Sequence, residues 1–186
     1  MQSKDHWEQV YTSKASDTVS WFQPHAEMSM RLIRDTGLGH DAAIIDVGAG
    51  ASTLVDDLLD DGYGHVTILD LSAAALAETQ QRLDMRSSSV KWWVADITLA
   101  DFEPHSFDIW HDRAVFHFLT TDVDRRKYVQ QVLRALKPGG HVIMATFGAK
   151  GPTQCSGLPV IRYEPEALHA EFGEAFVLLK HEEQMH

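Results

Sequence analysis

Only one cysteine, Cys155, stands in the 186 residues, so no disulfide can close within the chain and no cysteine-built metal cluster can form. A lone thiol suits a reducing compartment, and a cytoplasmic location is expected. Long apolar runs are missing: none approaches the roughly 20 residues that span a bilayer. The N-terminus, Met1-Gln2-Ser3-Lys4-Asp5, is polar and lacks the apolar stretch of a secretory signal. Positive charge is in short supply, with 16 Lys and Arg against 27 Asp and Glu and a net charge of −11. Such a surface repels phosphate backbones, which argues against a nucleic-acid partner. The 11 histidines are scattered, without H-x-H or H-E-x-x-H spacing, so no metal is expected. Repeats, low-complexity tracts and linkers are also absent. The length suits one domain over 1–186, with a helical extension at 1–40 ahead of a core at 41–186.

What is present is alternation. Residues 44–47, 65–70, 90–95, 107–111 and 141–147 are short, apolar and rich in β-branched or aromatic side chains, as buried parallel strands are. Helical patterns lie between them. Ser72 is placed to cap a helix over 73–85. Thr121 or Asp122 is placed to cap another, whose apolar face is Tyr128, Val129, Val132, Leu133 and Leu136. This order predicts an α/β fold, a doubly wound and mostly parallel sheet. Within 1–40, Pro24 opens a helix with Met28, Leu32 and Ile33 on its apolar side. Trp7, Tyr11, Trp21 and Phe22 are dense enough to form a lid, or else they pack the extension onto the sheet.

The sharpest signal is Ile44-Ile45-Asp46-Val47-Gly48-Ala49-Gly50-Ala51-Ser52-Thr53, a strand running through a glycine turn into a helix. Gly48 and Gly50 allow a tight turn and the close approach of a ligand to the main chain. Backbone N–H groups at the start of the following helix face the same mouth. Asp70 ends the second strand, where a βαβ unit sets a carboxylate for ribose hydroxyls. A dinucleotide site places a third glycine where Thr53 stands. Asp46, two residues ahead of the first glycine, repels a pyrophosphate but attracts a cationic sulfonium or α-amino group.

The run D-V-G-A-G-A-S resembles the first motif of class I S-adenosylmethionine-dependent methyltransferases, with Ser52 in place of its last glycine. Leu136-Lys137-Pro138-Gly139-Gly140 resembles the turn before strand five of that family, and Val94-Ala95-Asp96-Ile97 resembles the loop after strand three. The resemblance implies a Rossmann-like fold and S-adenosylmethionine as cofactor, leaving S-adenosylhomocysteine. It implies contacts from Asp46, Gly48, Ala49, Gly50, Ser52 and Thr53 around the loop, and from Asp70 to the ribose. Leu71, Asp96 and Ile97 then meet the adenine, and Tyr11, Trp21 and His111 complete the cofactor set.

Strand four continues as His111-Asp112-Arg113-Ala114-Val115-Phe116-His117, with no N-P-P-Y-like string. It is similar to the segment shared by thiopurine-type and some protein-lysine methyltransferases. Asp112 and His111 are the candidate bases, with His117 half a dozen residues on, and Arg113 either steers an anionic acceptor or pairs with an acid. The alternative for both histidines is ordinary packing, the better reading for His117. Cys155 lies in a loop after strand five and reads as passive.

The expected activity is methyl transfer to a small-molecule sulfur, nitrogen or oxygen nucleophile. The alternatives are a protein-lysine methyltransferase, a cofactor-binding module without turnover, and a nicotinamide reductase, which Asp46 and Thr53 disfavour. The resemblance also implies a sixth strand, expected over 175–181 after a helix at 164–172, and a seventh, antiparallel strand for which no residues remain. Either a tail is missing or another chain supplies that edge, and the protein is a monomer or a dimer accordingly.

Overall fold

The structure, a computed structural model, describes residues 4–13, 23–50, 52–113 and 115–184. Five strands form one parallel sheet: β1 (Ala43–Val47), β2 (His65–Asp70), β3 (Lys91–Val94), β4 (Phe107–Arg113) and β5 (Leu136–Ala145), in the order β3-β2-β1-β4-β5. The order reverses beside β1, between β2 and β4. In open α/β sheets, ligands bind at such a switch point, outside the carboxyl ends of the strands.

Strand periodicity sorts the core into two faces. Ile44, Ile68 and Ile109 pack with α2 (Glu27–Asp35), α3 (Leu54–Asp61) and α4 (Ala73–Leu83). Ile45, Leu69 and Trp110 pack on the other side with α5 (Asp122–Ala135) and α6 (Pro165–Phe172). Ser72 caps α4 by accepting from Ala75 N–H, and Thr121 caps α5 by accepting from Asp124 N–H. On α2 the buried residues are Ser29, Met30 and Ile33, whereas Met28 and Leu32 turn toward the large cleft described below. α1 (Lys4–Ser13) completes the helices, and none of those described is long and apolar enough to cross a membrane.

The Leu136-Lys137-Pro138-Gly139-Gly140 string is part of β5 and bulges out of register with β4. Phe107 pairs with Leu136, but Ile109 pairs with His141. Gly139 takes a left-handed φ of +78°, and a Cβ on Gly140 would come within 2.9 Å of the Asp108 carbonyl. Lys137 pins the bulge through Asp108, at 2.7 Å.

The C-terminal expectation needs correction. After α6 a short turn covers Gly173–Ala175, and no strand forms over 175–181. A strand needs a ladder partner. Strands β6 (Gln154–Cys155) and β7 (Leu158–Pro159) pair only with each other, so β5 has no second neighbour among the described residues. Val177 and Leu179 are 78% and 75% exposed, and Leu133 of α5, expected in the core, is 45% exposed. An open sheet edge beside exposed apolar residues favours self-association. Light scattering on the 186-residue chain is expected to show concentration-dependent association that Val177→Lys with Leu179→Lys reduces.

Candidate cofactor cleft and its surroundings

The carboxyl ends of the strands open into a cleft of about 1590 Å³ that runs on past β5. Its floor is the loop after β1. Gly48 N–H donates to the Leu69 carbonyl at 2.7 Å, tying the turn to β2. Asp70 braces it from the side: one carboxylate oxygen accepts from Gly50 N–H at 2.7 Å and the other from Ser72 N–H at 2.8 Å. Burial pushes the Asp70 carboxyl up to about 6, against the pull of those N–H groups. Each oxygen keeps a lone pair for a further donor.

Both glycines are required by space as well as by φ. A Cβ on Gly48, at φ +66°, would lie 1.8 Å from Val115 Cγ2. A Cβ on Gly50, at φ +52°, would lie 2.2 Å from the Tyr11 hydroxyl. Tyr11 therefore hangs over the loop. Its helix, α1, is held there by Glu8, whose carboxylate accepts from Ser72 Oγ and from the N–H groups of Ala73 and Ala74 at the start of α4. A carboxylate on a helix N-terminus fills donors that the helix itself leaves unpaired.

Asp46 carries the most telling atom. Its Oδ1 meets His111 Nδ1 at 2.6 Å, and His111 Nε2 meets Ser29 Oγ at 2.9 Å. In the neutral tautomer, His111 donates to Asp46 and accepts from the Ser29 hydroxyl. That chain fixes the carboxylate and leaves Asp46 Oδ2 buried and without a hydrogen-bond partner, in the wall of the cleft. An orphaned carboxylate oxygen is costly to bury. It suits a donor that arrives with a ligand.

The remaining residues of the expected cofactor set group as the sequence suggests, with Ala49, Ser52, Thr53, Leu71, Asp96 and Ile97 all lining the cleft. Thr53 Oγ1 donates to the Gln23 carbonyl at 2.8 Å, and Asp96 Oδ1 accepts from Thr98 N–H and Oγ1 at 2.9 and 2.8 Å. Trp21 lies outside the described residues.

The candidate bases do not meet in the cleft. Alternation along β4 sends His111 toward α2 and Asp112 toward α5. His111 is 2% exposed with both ring nitrogens engaged, a partner of Asp46 rather than a free base. Asp112 is wholly buried. It accepts from Val115 N–H at 2.7 Å, from Phe116 N–H at 3.1 Å and from the Tyr128 hydroxyl, which in turn accepts from Trp110 Nε1. Its carboxyl is pushed up to about 6 by burial, and it holds the turn that bears Val115 against Gly48. Arg113 does line the cleft. Burial lowers its guanidinium from the usual value while the Asp46 charge opposes this.

His117, read from the sequence as a packed histidine, is packed without partners. It lines the cleft, exposes no surface, and neither ring nitrogen has a hydrogen-bond partner. Burial lowers its value to about 4. Because the unfolded chain binds the proton more tightly, stability is whole above about 6.5 and is lost as the pH falls toward 4. Replacing His117 with Phe is expected to shrink the loss of stability between pH 7 and pH 5 by about 2 kcal/mol, read by urea denaturation at both values. No signal in the string V-F-H-F marks the residue. Only its lack of partners does.

Residues 44–140, more than half of the chain, match the family described as a methyltransferase domain. The eEF1A lysine and N-terminal methyltransferase of Bos taurus is 26% identical over 141 residues, 76% of this chain and 20% of that protein. Phosphoethanolamine N-methyltransferase 2 of Caenorhabditis elegans is 31% identical over 106 residues, 56% of this chain and 24% of that protein. The chain thus spans less than a quarter of either relative. A solved structure from work on the conversion of a disulfide bond into a thioacetal group during echinomycin biosynthesis shares the fold. Its TM-score is 0.71 at 22% identity, covering 92% of this chain and 77% of its own. Together with the switch-point cleft and the glycine loop, these findings show that the chain belongs to the methyltransferase-domain family, the class I S-adenosylmethionine-dependent methyltransferases.

Proposed function

We propose that this chain transfers a methyl group from S-adenosylmethionine to a small-molecule nucleophile. The observation that carries the reading is the orphaned Oδ2 of Asp46 beside the glycine loop, a buried acceptor suited to the amino group of the cofactor. Asp70 would offer its remaining lone pairs to the ribose hydroxyls, Gly48 and Gly50 would allow the close approach, and Leu71, Asp96 and Ile97, which line the cleft, would hold the adenine. The bound cofactor supplies a methyl group already activated by the sulfonium. The protein's work is alignment and exclusion of water, worth roughly 7–11 kcal/mol when the geometry is right. Tyr11, on the α1 cover, serves the exclusion.

A protein lysine as acceptor is the second reading, favoured by the likeness to the bovine eEF1A lysine and N-terminal methyltransferase. Tritiated-methyl transfer from S-adenosylmethionine into extract, split into small-molecule and protein fractions, separates the two. Label in the small-molecule fraction is the expected outcome. Label recovered as methyl-lysine from protein supports the second reading. No transfer to either fraction, with S-adenosylhomocysteine still bound, points to a module that holds the cofactor without turnover.

A further inference from the structure

We propose that Thr79 and Arg82 of α4 are positioning residues for the cofactor, acting through the carbonyls of the glycine loop. The inference rests on the reading of that loop as the seat of S-adenosylmethionine and adds to it what keeps the seat in shape. Thr79 is 1% exposed, and its Oγ1 donates to the Gly50 carbonyl at 3.1 Å. Three residues on, and so on the same face of the helix, Arg82 donates from Nη2 to the Ser52 carbonyl at 2.6 Å. Arg82 is itself held, because its Nε and Nη2 fork onto Asp56 in the first turn of α3, at 3.2 and 2.7 Å from Oδ2. Ser52 lines the cleft, whereas Thr79 and Arg82 do not: they act from behind the loop.

The need for such ties follows from the sequence. Gly50 sits at a φ of +52°, and glycine enters left-handed and right-handed backbone about equally readily. Its own chemistry therefore does not choose the conformation in which the loop meets a ligand. Its neighbours do. Asp70 accepts from Gly50 N–H at 2.7 Å while Thr79 donates to Gly50 C=O, so buried side chains engage both polar groups of a residue with unusual freedom. Arg82 does the same for the exit of the loop. In a planar trans peptide the N–H points opposite to the C=O, so a Ser52 carbonyl turned to Arg82 sends the Thr53 N–H away from α4. A loop released from α4 samples other conformations, and binding then has to order it. Affinity falls although no group that touches the ligand is lost.

The test is calorimetric titration of S-adenosylhomocysteine into the full chain and its variants, under conditions where each is folded. Thr79→Val keeps the shape and removes the hydroxyl, and is expected to weaken binding about fivefold to tenfold, the size of one buried hydrogen bond. Thr79→Ser restores the hydroxyl and is expected to stay within about twofold of the wild type. Arg82→Met, at a partly exposed site, is expected to weaken binding about threefold and serves if Thr79→Val does not fold. Val66→Ala is the control for general destabilisation. It loosens the core that α4 packs on, at the amino end of β2, and is expected to leave affinity within about twofold. Carbonyl-¹³C-glycine labelling of the unliganded protein gives a second readout: the Gly50 resonance is expected to move upfield in Thr79→Val and to return in Thr79→Ser. Unchanged affinity or an unmoved Gly50 resonance in a folded Thr79→Val protein overturns the proposal, as does an equal loss of affinity in Thr79→Ser or Val66→Ala. Failure of the wild-type protein to bind S-adenosylhomocysteine overturns the cofactor reading and this one with it.

Discussion

Asp112→Ala is expected to remove about 3–5 kcal/mol of folding stability, measured by urea denaturation at pH 7. The substitution takes the acceptor from two backbone N–H groups, at Val115 and Phe116, and from a fully buried tyrosine hydroxyl. Each donor left unsatisfied in the interior costs about 1–3 kcal/mol. Part of that is offset because the wild-type carboxylate is itself expensive to bury, which is why its carboxyl sits up at about 6. Asp112→Asn keeps one acceptor oxygen and is expected to cost roughly half as much. A fall in turnover in the Asn variant then reflects a loosened turn rather than a lost base. Its pH–rate profile is expected to keep the wild-type shape, whereas loss of a titrating base changes that shape.

Gly48→Ala is expected to abolish measurable S-adenosylhomocysteine binding and to destabilise the fold by about 2–4 kcal/mol. Two causes act together. The added Cβ would sit 1.8 Å from Val115 Cγ2, and Val115 cannot withdraw while Asp112 holds its N–H. The φ of +66° adds a left-handed penalty for any side chain. Gly48→Ala with Val115→Ala is expected to recover part of the stability, because only the steric share is relieved. Gly50→Ala is a milder case. Its clash is with the Tyr11 hydroxyl, the far end of a flexible side chain on the α1 cover, so the cover yields before the loop does. Calorimetry and thermal unfolding of the three variants give the ranking.

The sheet and the glycine loop are legible in the sequence because they are local. Ile44 to Thr53 contains its own strand, turn and helix start, and Ser72 and Thr121 cap the helices they were expected to cap. Asp70 and Asp96 follow from position at strand ends. What was not legible depends on the third dimension. His111 and Asp112 are neighbours in the chain and opposites in the sheet, and only the packing of Ser29 on one face and Tyr128 on the other separates their roles. His117 looks like any packed histidine until its two nitrogens are found without partners. The strand expected over 175–181 failed for a related reason: its apolar residues favour a strand, but a strand exists only beside another, and none lies there among the described residues.

The decisive measurement is calorimetric titration of S-adenosylhomocysteine and of NAD into the wild-type and Asp70→Ala proteins. It is made at pH 7.5, above the value of about 6 to which burial raises Asp70. S-adenosylhomocysteine is expected to bind the wild-type protein and NAD is not. Asp70→Ala is expected to lose about 1–3 kcal/mol of S-adenosylhomocysteine affinity, because two ribose hydroxyls lose their acceptor in a buried site. Tighter binding of NAD than of S-adenosylhomocysteine, or an unchanged affinity in a folded Asp70→Ala protein, would show that this cleft does not hold the cofactor in the way its glycine loop and its three carboxylates imply.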